Sequence, residues 1–167
     1  MNRNENKSTW WDIMLTTGFY SGYSPFAPGT MGAIVATMMW IPAYIICDYA
    51  FLQLLTLLGI VIFTFLSVPS ICRLEKVWGE DPSRIVVDEM VGVWISLLAV
   101  PERGHWFYIL GAFVLFRLFD IFKPLGVRRM ERFTGGWGVM LDDILAGIYG
   151  AVGILVVRLV VNSICGL

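Results

Sequence analysis

Charge is scarce in this chain. Only 15% of its 167 residues are Asp, Glu, Lys or Arg, against about 25% in an ordinary soluble domain. Hydrophobic residues make up 57% and the mean hydropathy is +0.74. These values exclude an ordinary soluble domain and predict an integral membrane protein. The net charge of −1, with no basic run and no helix-turn-helix pattern, excludes nucleic acid as a partner. Cysteine is sparse and unpaired in spacing. Cys47, Cys72 and Cys165 form no CxxC motif, so packing is their expected role. None has arginine six positions later, which excludes a Cys-x5-Arg phosphatase. The lone histidine, His105, leaves little room for phosphohistidine chemistry. No cleavable signal peptide is expected, because Asp12 interrupts the stretch 10–20 and no small-residue cleavage site follows.

What the chain has instead is apolar segments, at about 31–46, 49–71, 85–100, 106–122 and 139–161. A membrane-spanning helix needs about 17–25 residues. The second and fifth segments reach that length, and the others do so once their polar ends are counted. The expected fold is all-α, a single membrane-embedded domain over residues 1–167. It is a bundle of about five hydrophobic helices plus short interfacial helices, and residues 1–17 form a polar tail and an interfacial helix. The Trp10-Trp11 pair suits a headgroup belt. Alternating the crossings puts Arg73, Lys76, Arg84, Arg117, Lys123, Arg128, Arg129 and Arg132 on one side, and Arg103 and Arg158 on the other. The positive-inside rule makes the first side cytoplasmic.

Four polar patches interrupt the apolar pattern: the loop 22–30, Asp88-Glu89, Arg117…Asp120…Lys123-Pro124, and Asp142-Asp143. All four fall on the cytoplasmic side, whereas His105 falls on the other. Carboxylates inside a membrane segment are costly, by roughly 2.5–3.5 kcal/mol at a helix centre and less near the ends, so a cation must offset them. Ion pairs with Arg84, Arg117 and Lys123 are one solution. A divalent ion is the other, and carboxylates with water and phosphate oxygens form the hard ligand set that Mg²⁺ prefers. No thiolate or imidazole cluster points to zinc. Arg117, Asp120 and Lys123 share one drifting helical stripe. Arg128, Arg129 and Arg132 read as a face attracted to anionic lipid, with Arg128 also a candidate phosphate grip. The loop ending in Pro28-Gly29-Thr30 starts a helix, with Thr30 the expected N-cap, and free N–H groups there suit an anion. Small residues at 146, 147, 150 and 151 predict close helix packing.

At these residues the chain resembles the bacterial phosphatidylglycerophosphatase A family. The matching stretches are SPFAPGTMG (24–32), VDEMVGVW (87–94), FRLFDIFKP (116–124) and GGWGVMLDDILAG (135–147). They come in the family's order and cover nearly the whole chain from residue 18. Two places depart from the family pattern: Ala33 stands where serine is frequent, and residues 125–128 stand where a Pro-Ile-Arg ending is common. The resemblance implies a Mg²⁺-dependent, multi-pass phosphatase of the bacterial inner membrane. Such an enzyme converts phosphatidylglycerophosphate, an anionic phospholipid of the bilayer, to phosphatidylglycerol and inorganic phosphate. Asp88, Glu89, Asp142 and Asp143 are then the expected metal ligands, with Asp120 completing the catalytic carboxylates as ligand or general base. Arg117, Lys123, Arg128, Ser24, Gly29 and Thr30 are the expected phosphate-binding groups. Water is the expected nucleophile, with a carboxylate the alternative; the DxDxT motif of soluble aspartyl-phosphate enzymes is missing. Two other classes fit the acids in part. An ion-coupled transporter would place them near the midplane with repeats, and no repeat is visible. A CDP-dependent phosphatidyl-group transferase would show an extended D-x2-D-G…G-x3-D-x3-D pattern, which is absent. Oligomeric state has no signature in the sequence.

Overall fold

A computed structural model describes residues 9–79, 82–102, 106–124, 126–130 and 132–165, excepting the side chain of Cys165. All regular elements among them are helical. Arg3, Lys7, Arg103, His105, Leu125 and Glu131 lie outside the described residues. Helix α1 (Trp10–Thr16) opens on a capping box, in which Thr9 N donates to Asp12 Oδ2 at 2.7 Å. A short 3₁₀ turn (Ser21–Tyr23) leads to α2 (Pro28–Ile46), α3 (Tyr49–Trp78), α4 (Val87–Leu97), α5 (Trp106–Phe122), α6 (Val127–Met130) and α7 (Gly136–Cys165).

The predicted all-α bundle is there, but the expected count of about five hydrophobic spans is not confirmed; the five apolar segments correspond to α2, α3, α4, α5 and α7. Three of them, α2, α3 and α7, are long and apolar enough to cross a membrane. With 11 residues, α4 rises only about 17 Å, against a hydrocarbon core of about 30 Å; α5 has 17 residues. Both 30-residue helices extend about 45 Å, beyond the core thickness. One cap differs from expectation. The N-cap of α2 is Ala27, in left-handed conformation at φ 42°, with Pro28 at the first helical position. Thr30 therefore lies inside the helix, because proline's fixed φ and missing N–H suit it to start a helix three residues earlier.

Helix α4 sits at the centre, touching α2, α3, α5 and α7. Val87, Met90, Val91, Val93 and Leu97 are fully buried. The outer helices face the other way, and α3 exposes Leu54, Leu55, Leu57, Leu58, Val61, Ile62, Phe65 and Leu66. Such a belt is at home in lipid and nowhere in water. Two glycines set the closest contact. A Cβ on Gly147 of α7 would lie 2.4 Å from the Gly92 carbonyl of α4, and a Cβ on Gly92 would lie 2.3 Å from Phe116 and 2.8 Å from the Asp143 carbonyl. The small-residue pattern at 146–151 is thus where α7 meets α4.

Polar side chains fasten the rest. Trp94 Nε1 donates to the Ala36 carbonyl at 3.0 Å, and Trp40 Nε1 to Thr56 Oγ1 at 2.9 Å. Helix α1 is tied to α3 by the Asp12–Arg73 ion pair, with Arg73 also donating to Ser70 Oγ at 3.1 Å. Burial opposes the Asp12 charge, but Arg73, Thr9 and Ser70 outweigh it and hold the carboxyl well below the usual carboxylate range.

Candidate active site

The first turns of α4 and α7, the last turns of α5 and the N-terminus of α2 converge on one cavity of about 590 Å³. Its wall carries Asp88 and Glu89 from α4, Arg117 and Asp120 from α5 with Lys123 just beyond it, and Asp142 and Asp143 from α7. Ala27, Pro28 and Gly29 close one flank; Glu75 of α3, Ser83, and Arg132 to Gly135 complete the wall.

Within it the carboxylates divide. Asp88, Glu89 and Asp143 each offer an oxygen within 4.8 Å of the other two. Asp142 leans the other way, its Oδ2 accepting from Lys123 Nζ at 2.6 Å. Asp120 Oδ2 lies 2.6 Å from Arg117 Nη1, and that same nitrogen is 4.0 Å from Glu89 Oε1. So the ion pairs that the sequence offered as one solution are present at Arg117 and Lys123, beside a group of three carboxylates. Two cations cover the flank of the cluster, and three carboxylates meet at its centre.

Burial makes that centre unusual. Asp143 is only 2% exposed. Asp88 Oδ1, Glu89 Oε2, Asp142 Oδ1 and Asp143 Oδ1 are buried and have no hydrogen-bond partner among the described residues. An unsatisfied buried polar atom costs about 1–3 kcal/mol, more when charged. Asp88, Glu89 and Asp143, whose oxygens lie within 4.8 Å of one another, are the donor set of a hard divalent cation, so these residues fit Mg²⁺. Gly29 has a defined part here, since a Cβ on it would fall 1.9 Å from Glu89 Oε1. Glycine lets the α2 N-terminus approach the carboxylate.

Some expected phosphate contacts are elsewhere. Ser24, Thr30 and Arg128 are not on the cavity wall. Ser24 Oγ is spent within its own turn, donating to the Phe26 carbonyl at 2.8 Å. Thr30 is one residue past Gly29, about 100° further around the helix. Arg128 is exposed on α6. In their place the cavity has Arg132, Glu75, Ser83 and Thr134, which sequence reasoning had not put there. Glu75 carried a readable signal, an acid just beyond an apolar segment on the same side as the other patches. Arg132 carried none that set it apart from Arg128 and Arg129.

Fold and cavity together define a helical membrane protein with an acidic, cation-flanked site at one end of its bundle. The phosphatidylglycerophosphatase A family matches residues 14–158, and the chain belongs to that family. A Bacteroides thetaiotaomicron protein, by name a candidate phosphatidylinositol-3-phosphatase, is 55% identical over 151 residues, covering 90% of this chain and 95% of the relative. Phosphatidylglycerophosphatase A of Escherichia coli is 38% identical over 85% of this chain and 80% of its own length. The Haemophilus influenzae protein of the same name is 38% identical over 87% of each. No solved structure matches the chain.

Proposed function

We propose that this protein is a Mg²⁺-assisted lipid phosphatase. It removes the terminal phosphomonoester of phosphatidylglycerophosphate and leaves phosphatidylglycerol and inorganic phosphate, a step of phospholipid biosynthesis. It works at the cytoplasmic face of a bacterial inner membrane, where the cation-rich ends of the helices belong. One observation carries the chemistry: buried, unpartnered carboxylate oxygens cluster beside Arg117 and Lys123, in a chain of this family.

Asp88, Glu89 and Asp143 hold the ion, and the free Oδ1 of Asp142 is the fourth protein donor. When bound, Mg²⁺ supplies Lewis acidity at a phosphoryl oxygen and acidifies water. Arg117 and Lys123, each already oriented by a carboxylate, hold the phosphate and oppose the charge that builds on it. The N-terminus of α2 opens on the same cavity at Pro28 and Gly29 and adds its dipole. Asp120 accepts the proton that water loses as its oxygen bonds to phosphorus. The phosphorus–oxygen bond to the headgroup breaks, and the released alkoxide takes a proton from solvent. A carrier has less support, because the acids gather at one end of the bundle rather than at midplane.

A second substrate has a specific observation behind it. The 55% identical relative is named for phosphatidylinositol 3-phosphate, also a phosphomonoester on a phosphatidyl headgroup. Phosphate release from both lipids, with and without Mg²⁺, tests the reading. Release from phosphatidylglycerophosphate that stops in EDTA is the expected result. Full activity in EDTA would overturn the metal, and release from the inositol lipid alone would move the substrate to the second reading.

A further inference from the structure

The segment between α6 and α7 is one part of the cavity wall to which hydrolysis of the monoester gives no role. Arg132, Phe133 and Thr134 line the cavity there, and the segment is bracketed on both sides. Before it, Arg132 N donates to the Arg129 carbonyl at 3.3 Å and Phe133 N to the Met130 carbonyl at 3.1 Å. After it, Gly135 takes a left-handed conformation at φ 69°, and Gly136 N donates to Cys72 Sγ of α3 at 3.1 Å. A Cβ on Gly136 would lie 2.4 Å from the Val68 carbonyl, so α3 and the start of α7 touch backbone to backbone. Arg132 therefore projects from a fixed base.

The three cations of the wall differ in employment. Arg117 and Lys123 each have a carboxylate at 2.6 Å. Arg132 is exposed, and its guanidinium has no ion pair among the described residues. Beside it Phe133 is 54% exposed, and Phe26, next to the lining residue Ala27, is 82% exposed. Exposed aromatics next to a polar cavity suit the headgroup level of a bilayer. A lipid entering there brings its phosphomonoester to the carboxylate cluster and leaves its other anionic group near the mouth.

We propose that Arg132 is a specificity-determining residue that binds the internal phosphodiester of the phosphatidyl substrate. The inference rests on the lipid-phosphatase reading and holds for both substrates, since each carries a diester one headgroup away from its monoester. The guanidinium fork matches the two non-bridging oxygens of a diester. It gives the enzyme a way to prefer such lipids over phosphatidic acid, which has the acyl chains and the monoester but no diester.

The test compares phosphatidylglycerophosphate, or the inositol lipid if the wild type prefers it, with phosphatidic acid of the same acyl chains, in detergent micelles with Mg²⁺. Arg132→Ala should raise KM for the diester-bearing lipid about tenfold, the scale of one charge-assisted contact, with kcat within about twofold. Its KM for phosphatidic acid, or the inhibition constant if turnover is slow, should not move. Arg132→Lys should recover part of the loss, because the charge stays and the fork does not. Arg132→Gln serves if the alanine variant does not purify folded. An equal change on both lipids, or none on the diester-bearing one, overturns the inference. A wild type that releases phosphate from neither phosphatidyl substrate overturns the phosphatase reading, and this inference with it.

Discussion

Beyond its C-terminal end, α4 hands the chain to residues 98–101, and four side chains from three helices meet the carbonyls there. Gln53 donates to Leu98 at 3.3 Å, Arg158 to Ala99 at 2.9 Å, Tyr49 to Val100 at 2.9 Å and Tyr44 to Pro101 at 3.1 Å. In its first turn, Asp88 and Glu89 bring buried oxygens that no described residue satisfies, in the cavity they share with Asp142 and Asp143. The same helix is saturated at one end and left wanting at the other. Saturation is the ordinary demand of a membrane interior, where an unpaired backbone group costs several kcal/mol. The unsaturated end has no such structural explanation, and unmet demand beside a cavity is what a binding site for a cation and a phosphate requires.

The contrast makes different demands of substitutions at the two ends. The largest expected effect is at the acidic end. Asp143→Asn should lower phosphate release by at least about a hundredfold, because on the proposed reading a Mg²⁺ donor is lost. Its thermal midpoint without Mg²⁺ should stay level or rise, since a buried charge has been removed. A large fall in that midpoint would mean the carboxylate is structural, and the contrast would collapse. Next comes the contact that joins α4 to α7. Gly147→Ala should cost about 1–3 kcal/mol through overpacking and should also lower activity, because the shift it forces reaches Asp143. Urea or thermal unfolding in detergent reads the first part, and phosphate release the second.

The saturated end should show the reverse pattern. Tyr49→Phe should cost about 0.6 kcal/mol, the average for a side-chain hydrogen bond between membrane helices, and leave activity per folded molecule unchanged. Activity lost in that variant without loss of stability would show the far end coupled to the chemistry. An effect outside that contrast belongs to Asp12, which lies at neither end of α4. Its carboxyl is held below its ordinary value, so its contribution is present above a pH of about 4 and is lost as pH falls below that. Wild type should lose thermal stability on acidification through that range, and Asp12→Asn should lose less, as followed by circular dichroism against pH.

Much of this was legible in residue order. An apolar chain with little charge can only bury itself in lipid, and backbone groups in lipid must be paired within helices, so the all-α class follows from composition. The acids at 88, 89, 120, 142 and 143 were readable because charge at an apolar segment is expensive wherever it falls. Thr30 was misread as a cap because proline at position 28 preempts it. Arg128 was preferred over Arg132 because both sit in one short basic run, and nothing local tells which arginine the chain turns toward the cavity. The length of α4 was overestimated because its apolar run continues through residues 98–100, which leave the helix without becoming polar.

Composition and pattern determined that this is a helical membrane protein, which polar patches interrupt it, and to which family it belongs. Tertiary structure alone decided the division of labour inside those patches. Neighbours on a helix diverge by about 100°, so within Asp142-Asp143 one carboxylate takes Lys123 and the other joins Asp88 and Glu89. Which one does so depends on how α7 is rotated against α4. That rotation is fixed by backbone meeting backbone at Gly92 and Gly147, a contact between residues 55 positions apart that no local pattern encodes.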